Sequence, residues 1–340
     1  MVWWINYYHA LVLGLMPGLY NKDTRNLKSP KIYIAYSVII QCVFMLLTPM
    51  ATPFMASREE QEDYYMNRKL ILRWTYHIGK TARILVNIVM SLEIWFKRGR
   101  MIRLYEDYWK FVRKYQQFCA YHDMEPYMEQ ELATVRTNTI YKFGVCHANA
   151  IIMFILFIRM QKERSWTYML MILVNLLQSQ FLLQVNVTFD LILFRMHLHF
   201  VFINKVLQHT SQRSTRGELF WSYWTLYNMH YECYHLSQRF LRIWQDITFF
   251  WMIKIFTTNI ALLYHAVQFT NGSIESDNTQ DLIGTMTIVL FYWDTTLTMK
   301  AIDGILSSCN QTNEVLRIYA NEKGERGHLH QQSQFLKMAS

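Results

Sequence analysis

This 340-residue chain contains six long hydrophobic stretches, which restrict the folds that it can adopt. They run over Ile32–Phe54, Trp74–Phe96, Phe143–Ile158, Trp166–Phe189, Thr248–Phe269 and Leu282–Ile305. About 20 mostly apolar residues let a helix cross the hydrocarbon layer of a membrane. Helix breakers are scarce, because the chain holds 11 glycines and 5 prolines. The sequence therefore predicts an all-α fold, a polytopic membrane helical bundle.

Basic residues are distributed unequally between the connections of this predicted bundle. The connection at 97–142 carries nine Lys and Arg residues, whereas those at 159–165 and 270–281 carry three and none. Because Lys and Arg that flank membrane spans stay on the cytoplasmic side, both chain ends are predicted to be cytoplasmic. Orientation and contacts with anionic membrane lipid then account for the formal charge of +9. Nucleic acid is not expected as a partner.

Two segments without helix breakers are longer than a membrane requires. Glu218–Asn271 contains no Gly or Pro over 54 residues. At about 1.5 Å per residue it would form a helix of about 80 Å. We expect this excess, and that of Trp166–Thr210, to form a cytosolic helical stalk. The predicted organisation is an N-terminal cytoplasmic or interfacial segment (1–31), a six-span membrane bundle (32–305) with cytoplasmic helical extensions (97–142 and 200–245), and a cytoplasmic tail (306–340).

The first 21 residues carry no Asp, Glu, Lys or Arg and decide the topology class. They lack the basic start and the small-residue cleavage site of a signal peptide. Trp3, Trp4, Tyr7 and Tyr8 are typical of the headgroup level of a membrane. We predict an interfacial helix here. If the segment crossed the membrane instead, the N-terminus would lie outside and the remaining topology would be unchanged.

Charged side chains interrupt three of the predicted spans. The second contains Lys80, Arg83 and Glu93, and the sixth contains Asp294 and Lys300, whereas Lys254 of the fifth lies toward its cytoplasmic end and can reach the interface. Charges at membrane depth face a bundle interior or a wet cavity and are candidates for function. Two interpretations stay open: functional groups, or internal ion pairs and charges that reach an interface.

No motif in the chain indicates catalysis. The histidine pairs are spaced two or five residues apart, whereas ligands on one face of a helix lie three or four apart. No Gly-rich phosphate loop and no nucleophile beside a base are present. The five cysteines show no C-x-x-C spacing. We therefore predict no enzyme activity, no metal and no cofactor.

The outer half of the bundle is the candidate site for a ligand. Charge counting places these polar and aromatic residues there: Tyr76, His77, Trp166, Asn175, Gln178, Asn259, Tyr264, His265, Thr287, Phe291 and Tyr292. Aromatic walls with a few amides and hydroxyls suit a small uncharged ligand. Ordinary helix–helix packing, in which polar side chains form hydrogen bonds across spans, is the alternative.

Two glycosylation sequons fall at informative places. Asn271-Gly-Ser273 lies in the fifth connection, which charge counting places outside, so we predict that Asn271 is glycosylated. Asn186-Val-Thr188 lies inside the fourth predicted span and is not expected to be modified.

Several features together resemble the insect gustatory receptor family, as found in flies. The match begins with Leu11-Val-Leu-Gly-Leu-Met-Pro-Gly-Leu-Tyr20, followed by Asp23-Thr-Arg25 and Pro30. It continues with Ile102-Arg-Leu-Tyr-Glu-Asp-Tyr108 and reaches Asn313-Glu-Val-Leu-Arg-Ile-Tyr319. The similarity covers the whole chain but is diffuse, because it rests on pattern more than on particular residues.

The resemblance implies a chemoreceptor with seven spans and a cytoplasmic N-terminus in the cell membrane. Members assemble as tetrameric, ligand-gated cation channels, so a homo- or hetero-tetramer with other chemoreceptor subunits is expected. The resemblance also implies that a small-molecule tastant binds in the outer half and that the last helix lines the pore. The Thr-Tyr and Gln-Phe motif of that seventh helix is absent, and the sequence ends at Ser340, where the segment leading into it is expected. We therefore expect a truncated product or a form that does not conduct alone.

Two other classes of receptor remain as alternatives. A G-protein-coupled receptor would need residues 1–20 to span the membrane with the N-terminus outside. The sequence has no Asp/Glu-Arg-Tyr at the inner end of its third span and no Asn-Pro-x-x-Tyr. An odorant-receptor-like channel subunit shares the predicted architecture.

Overall fold

Helices account for almost all of the computed structural model, which describes residues 2–21, 26–47, 70–121, 125–159, 166–213, 216–270 and 278–324. The helices are α1 (Val2–Val12), α2 (Lys31–Leu47), α3 (Leu70–Tyr121), α4 (Glu125–Arg159), α5 (Trp166–Arg213), α6 (Arg216–Thr270) and α7 (Asn278–Gly324). Long helices follow from the scarcity of breakers, and α6 extends over 55 residues without a Pro. The predicted all-α bundle is confirmed.

A short β-hairpin between α1 and α2 departs from the sequence-based expectation of helix. Strand β1 (Leu19–Asn21) pairs with β2 (Asn26–Lys28) in antiparallel fashion, with Leu19 opposite Lys28. The helix ends before Gly14, whose φ of 69° lies in the left-handed region that favours glycine. Strands of three residues are too short to show an alternating pattern in the sequence.

The buried and exposed faces of helix α2 indicate that the bundle lies in a membrane. Its buried face carries Ser37 and Gln41, whereas Ile32, Ile39 and Leu46 are 85%, 61% and 77% exposed. These three isoleucine and leucine residues lie seven apart and therefore form one stripe along the helix. An outward apolar stripe with polar groups inside is unfavourable in water and favourable in hydrocarbon.

The same outward pattern recurs on two further helices. Phe249, Phe256 and Leu263 are exposed at intervals of seven along α6. On α7 the exposed apolar residues are Leu282, Met286, Val289 and Trp293. Among the described residues, three helical segments are long and apolar enough to cross a membrane, namely Leu176–Gln208, Trp224–Tyr264 and Leu282–Thr312. The protein is a multi-pass membrane protein.

The residues divide into two compact units. The first comprises Met1–Glu106, Tyr141–Phe189 and Phe240–Thr296. In it, the carbonyl oxygen of Gly14 accepts hydrogen bonds of 2.7 Å from both Ser37 Oγ and Gln41 Nε2. These bonds fix the chain after α1 against α2. They also explain why α2 turns polar side chains inward.

The second unit comprises Asp107–Ile140, Asp190–Arg239 and Leu297–Ser340. Inside it, the buried Thr298 hydroxyl donates to Asp190 Oδ2 at 2.8 Å, and Asn204 Nδ2 donates to the Ser308 carbonyl at 2.8 Å. The buried ring of His199 packs edge-on against Tyr115, with 4.9 Å between the ring centroids. This unit therefore has a core that mixes polar and aromatic groups.

Candidate functional site

A buried ion pair lies in the interior of the first unit. Lys142 Nζ is 2.5 Å from Asp294 Oδ1, and the Lys142 side chain is fully buried. Asn186 Nδ2 donates to Asp294 Oδ2 at 2.9 Å, and Cys146 Sγ donates to Asp294 Oδ1 at 3.0 Å. We call these four residues the Asp294 cluster. Each oxygen of the carboxylate is thus hydrogen-bonded.

Three helices supply the Asp294 cluster. Lys142 and Cys146 lie one turn apart on α4 and so share a face. Asn186 lies on α5 and Asp294 on α7. Carboxylate and ammonium groups are costly inside a membrane unless they are paired and hydrogen-bonded. The pairing across helices explains how these charges are accommodated.

Lys254 interacts electrostatically with the Asp294 cluster and with a further cation, Arg83. Lys254 on α6 lies within electrostatic reach of Asp294, Lys142 and Arg83. Arg83 on α3 donates from Nη2 to Ser179 Oγ at 3.0 Å. Lys254 therefore belongs to an internal group of charges contributed by α3, α4, α6 and α7.

Two buried amides lie on the same helices as Arg83 and Ser179. Asn87, 3% exposed, has a side-chain amide whose nitrogen and oxygen both lack a hydrogen-bond partner in the described part of the chain. Gln178, 2% exposed, likewise has no described partner for its Nε2. Asn87 lies one helical turn after Arg83 on α3 and so shares a face with it, whereas Gln178 directly precedes Ser179 on α5 and points to a different face.

An apolar wall accompanies the polar groups of the first unit. Its buried members are Val86, Leu182, Trp251, Ile255 and Phe291. Val86 adjoins Asn87 on α3, and Phe291 lies three residues before Asp294 on α7. The interior of the first unit thus combines aromatic surface with amides and fixed charges, as small-molecule sites do.

The structure brings some of the sequence-predicted ligand residues into this interior and leaves others elsewhere. Gln178 and Phe291 are buried there, and Thr287 is buried with its hydroxyl donating to the Ile283 carbonyl at 2.9 Å. Tyr292 packs edge-on against Phe291, with 6.2 Å between ring centroids. Trp166, by contrast, is 90% exposed.

The remaining predicted ligand residues are less informative. His77, Asn259 and Tyr264 are partly buried, and Asn259 Oδ1 is a buried oxygen without a described hydrogen-bond partner. The side chains of Tyr76, Asn175 and His265 lie outside the described residues. The predicted glycosylation site, Asn271, also lies outside them.

The predicted intramembrane charges have different surroundings. Glu93 forms an ion pair of 2.6 Å with Lys97, one turn further along α3, and Lys97 also lies 3.6 Å from Asp246. Asp294 pairs across helices with Lys142. The side chain of Lys80 lies outside the described residues. The described side chains contain no group of three or more His, Cys, Asp or Glu that could hold a metal ion.

Sequence reasoning missed Lys142, Asn186 and Cys146 as members of the cluster. Lys142 counts among the nine basic residues of the 97–142 connection, yet the structure buries it completely. It is 152 residues from its partner Asp294. The one available signal was the isolated Asp294 itself, since a lone carboxylate at membrane depth requires a partner.

The fold and this polar interior define the class first: an all-α, multi-pass membrane protein with a buried site inside its bundle. A sequence model of the 7tm chemosensory receptor family matches residues 5–335. The chain therefore belongs to the 7tm chemosensory receptor family. It is a chemoreceptor. The family consists of receptors and contains no enzyme class.

Two relatives from Drosophila melanogaster bear out the resemblance to gustatory receptors. Gustatory receptor 58b is 26% identical over 323 residues, which cover 92% of this chain and 76% of the relative. Gustatory receptor 58a is 21% identical over 318 residues, which cover 88% of this chain and 78% of the relative. The similarity extends along nearly the whole chain in both comparisons.

A solved structure shares the fold. It is the insect olfactory receptor OR5 from Machilis hrabei in complex with eugenol, which aligns with a TM-score of 0.64 at 9% identity. The alignment covers 93% of this chain and 82% of that chain. Such low identity establishes the architecture, and the family rests on the sequence match.

Proposed function

We propose that this chain is a gustatory-type receptor subunit of a ligand-gated cation channel that detects small-molecule tastants. The family match over residues 5–335 carries this proposal. The names of both Drosophila relatives point to taste. The olfactory receptor of the same fold was solved with a small molecule, eugenol. These comparisons favour a small organic ligand for the present chain as well.

The interior of the first unit is the proposed ligand site. Gln178 and Phe291 belong to the set expected from sequence, and Asn87 offers an amide that has no hydrogen-bond partner among the described residues. Burying an amide without a partner costs roughly 1–3 kcal/mol. A ligand that satisfies such a group in one conformation of the bundle, and not in another, would shift the equilibrium between them.

The proposed route from ligand to gate runs through α7. Phe291 is part of the apolar wall, and Asp294 lies one turn further along the same helix. A ligand that displaces Phe291 would therefore act on the ion pair with Lys142. Because the ion pair is buried, we expect it to be either formed or broken, with no stable intermediate arrangement. The N-terminus is proposed to be cytoplasmic and the assembly a tetramer, homomeric or with other chemoreceptor subunits.

Whole-cell recording tests the proposal in cells that express this receptor. Sugars, bitter compounds and fatty acids applied outside should evoke cation currents that persist when G-protein signalling is blocked. An epitope tag at the N-terminus should be stained only after permeabilisation. Silence toward every compound, despite surface expression, would contradict the channel proposal. External staining of the tag would support a G-protein-coupled receptor topology instead.

A further inference from the structure

A buried arginine in the first unit is hydrogen-bonded to two neutral side chains. Arg98 on α3 is 8% exposed. Its Nη1 donates to Ser29 Oγ at 3.4 Å, and its Nη2 donates to Ser37 Oγ at 3.2 Å. Within the described part of the chain, Arg98 forms no ion pair with a carboxylate. These contacts therefore hold the guanidinium in place without neutralising its charge.

The two serine hydroxyls have already committed their protons. Ser29 Oγ donates to the Pro17 carbonyl at 3.2 Å, and Ser37 Oγ donates to the Gly14 carbonyl at 2.7 Å. Each hydroxyl has one proton, so its oxygen accepts from Arg98. A guanidinium carries five N–H donors, and the serines take two of them. Because a buried charge without a counter-ion is costly, the remaining donors suit an oxyanion, whose oxygens match the guanidinium fork.

Two exposed lysines flank the serine that Arg98 contacts. Lys28 ends β2 one residue before Ser29, and Lys31 begins α2 two residues after it. Both lysines are exposed, and neither forms an ion pair with a carboxylate of the described residues. We call Arg98, Lys28 and Lys31 the Arg98 site. The site joins a buried fork of donors to two mobile positive charges at the surface, an arrangement that suits phosphate.

The position of the Arg98 site in the membrane indicates where such a phosphate comes from. Lys31 directly precedes Ile32, which is 85% exposed and begins the lipid-facing stripe of α2. Tyr20 on β1 packs against Trp4, with 5.6 Å between the ring centroids, and such aromatic residues are typical of the headgroup level. Charge counting predicts that this end of the bundle is cytoplasmic. Anionic lipids are abundant in that leaflet.

We propose that the Arg98 site binds the phosphate of an anionic phospholipid. The phosphate oxygens accept hydrogen bonds from Arg98 and attract Lys28 and Lys31, while the acyl chains lie in the hydrocarbon. A free phosphate ion offers the same oxygens, but the start of the lipid-facing stripe beside Lys31 favours a lipid headgroup. The site uses none of the residues of the proposed ligand site. Lipid binding therefore does not depend on whether the chain conducts.

Two lipids with the same acyl chains test the proposal. The purified receptor in detergent is titrated with dioleoyl phosphatidate or dioleoyl phosphatidylcholine, and its melting temperature is followed. Choline offsets the charge of the phosphate in the second lipid, so phosphatidate should raise the melting temperature at lower concentration. Arg98→Gln should raise the midpoint of the phosphatidate titration about tenfold or more, because a charged hydrogen bond is lost. Equal stabilisation by both lipids, or an unchanged midpoint in Arg98→Gln, would overturn the proposal.

Exposed residues provide a second variant and a matched control. Lys28 and Lys31 are exposed, so Lys28→Gln and Lys31→Gln should fold even if Arg98→Gln does not. A basic residue near an anionic membrane surface contributes about 1 kcal/mol, so each variant should raise the midpoint about fivefold. Arg136 is exposed on α4, and Arg136→Gln should leave the midpoint unchanged. An equal rise in Arg136→Gln would indicate a general effect of net charge and overturn the proposal.

Two further measurements distinguish the lipid from other sources of negative charge. Inorganic phosphate is titrated over the same range of concentration, and stabilisation equal to that by phosphatidate would assign the site to the free ion and overturn the proposal. Asp23, between β1 and β2 in the sequence, lies outside the described residues. Without lipid, Asp23→Asn should leave the melting temperature near that of the wild type. A loss equal to that in Arg98→Gln would identify a counter-ion within the chain and overturn the proposal.

Discussion

Replacing Asp294 by Asn tests the energetic reasoning about the bundle interior. The substitution keeps the shape of the side chain and removes its charge. Lys142, whose side chain is fully buried, would then lose its ion-pair partner at 2.5 Å. Breaking a buried ion pair by removing one partner costs about 3–5 kcal/mol. We therefore expect a large loss of stability from a substitution that changes almost no volume.

An exposed ion pair of equal length provides the matched control. Lys114 Nζ and Glu232 Oε1 are also 2.5 Å apart, but their side chains are 59% and 41% exposed. Exposed pairs contribute about 0–1 kcal/mol, so Glu232→Gln should have little effect. The difference between Asp294→Asn and Glu232→Gln isolates the effect of burial, because chemistry and distance are the same.

The assay is thermal unfolding of the purified protein, followed by size-exclusion chromatography of the soluble fraction. A loss of about 3–5 kcal/mol should lower the melting temperature by several degrees, on the order of 2 °C per kcal/mol for a chain of this size. Lys142→Met combined with Asp294→Asn should recover most of the loss, since both charges are then absent. Equal melting temperatures for Asp294→Asn and Glu232→Gln, or no recovery in the double variant, would refute the reasoning.

Three further predictions concern other parts of the chain. Gly14→Ala should destabilise the protein by about 1–2 kcal/mol, because the φ of 69° strains any L side chain, and chemical denaturation would measure it. Partial burial raises the pKa of Asp107, but hydrogen bonds from Arg239 and Lys110 outweigh it and hold the pKa below its usual value. Asp107 therefore adds stability above about pH 3.9 and loses it as the pH falls further, so Arg239→Gln should lower the melting temperature at pH 6 but not at pH 2. Asn271→Gln should abolish a glycosidase-sensitive shift in gel mobility, and an unchanged wild-type band would contradict the external position of this sequon.

The helices follow directly from the sequence, and the hairpin does not. Stretches without Gly or Pro, such as Glu218–Asn271, predict long helices because nothing interrupts hydrogen bonding along the backbone. The α6 helix of 55 residues agrees with that reasoning. The strands Leu19–Asn21 and Asn26–Lys28 depend on the turn at Gly14 and on contacts with distant residues. Such contacts between distant residues cannot be predicted from the local sequence pattern.

The charged residues of the site could be predicted from the sequence, but the residues with which they pair could not. Arg83 and Asp294 stand out because they interrupt apolar stretches, and an isolated charge needs compensation. Their partners depend on how each helix is rotated about its axis. Lys142 lies at the edge of a predicted span, where basic residues ordinarily mark the cytoplasmic side. Only the packing of α4 against α7 distinguishes an internal counter-ion from a flanking charge.

Reconstitution of the receptor complex purified from responding cells into planar lipid bilayers tests the central claim most directly, because only the subunits of that complex are present. The complex should show unitary cation currents that open on addition of an agonist identified in cells and close on its removal. Closed bilayers in the presence of that agonist, with a folded and inserted complex, would contradict the claim that this chemoreceptor is a subunit of the channel.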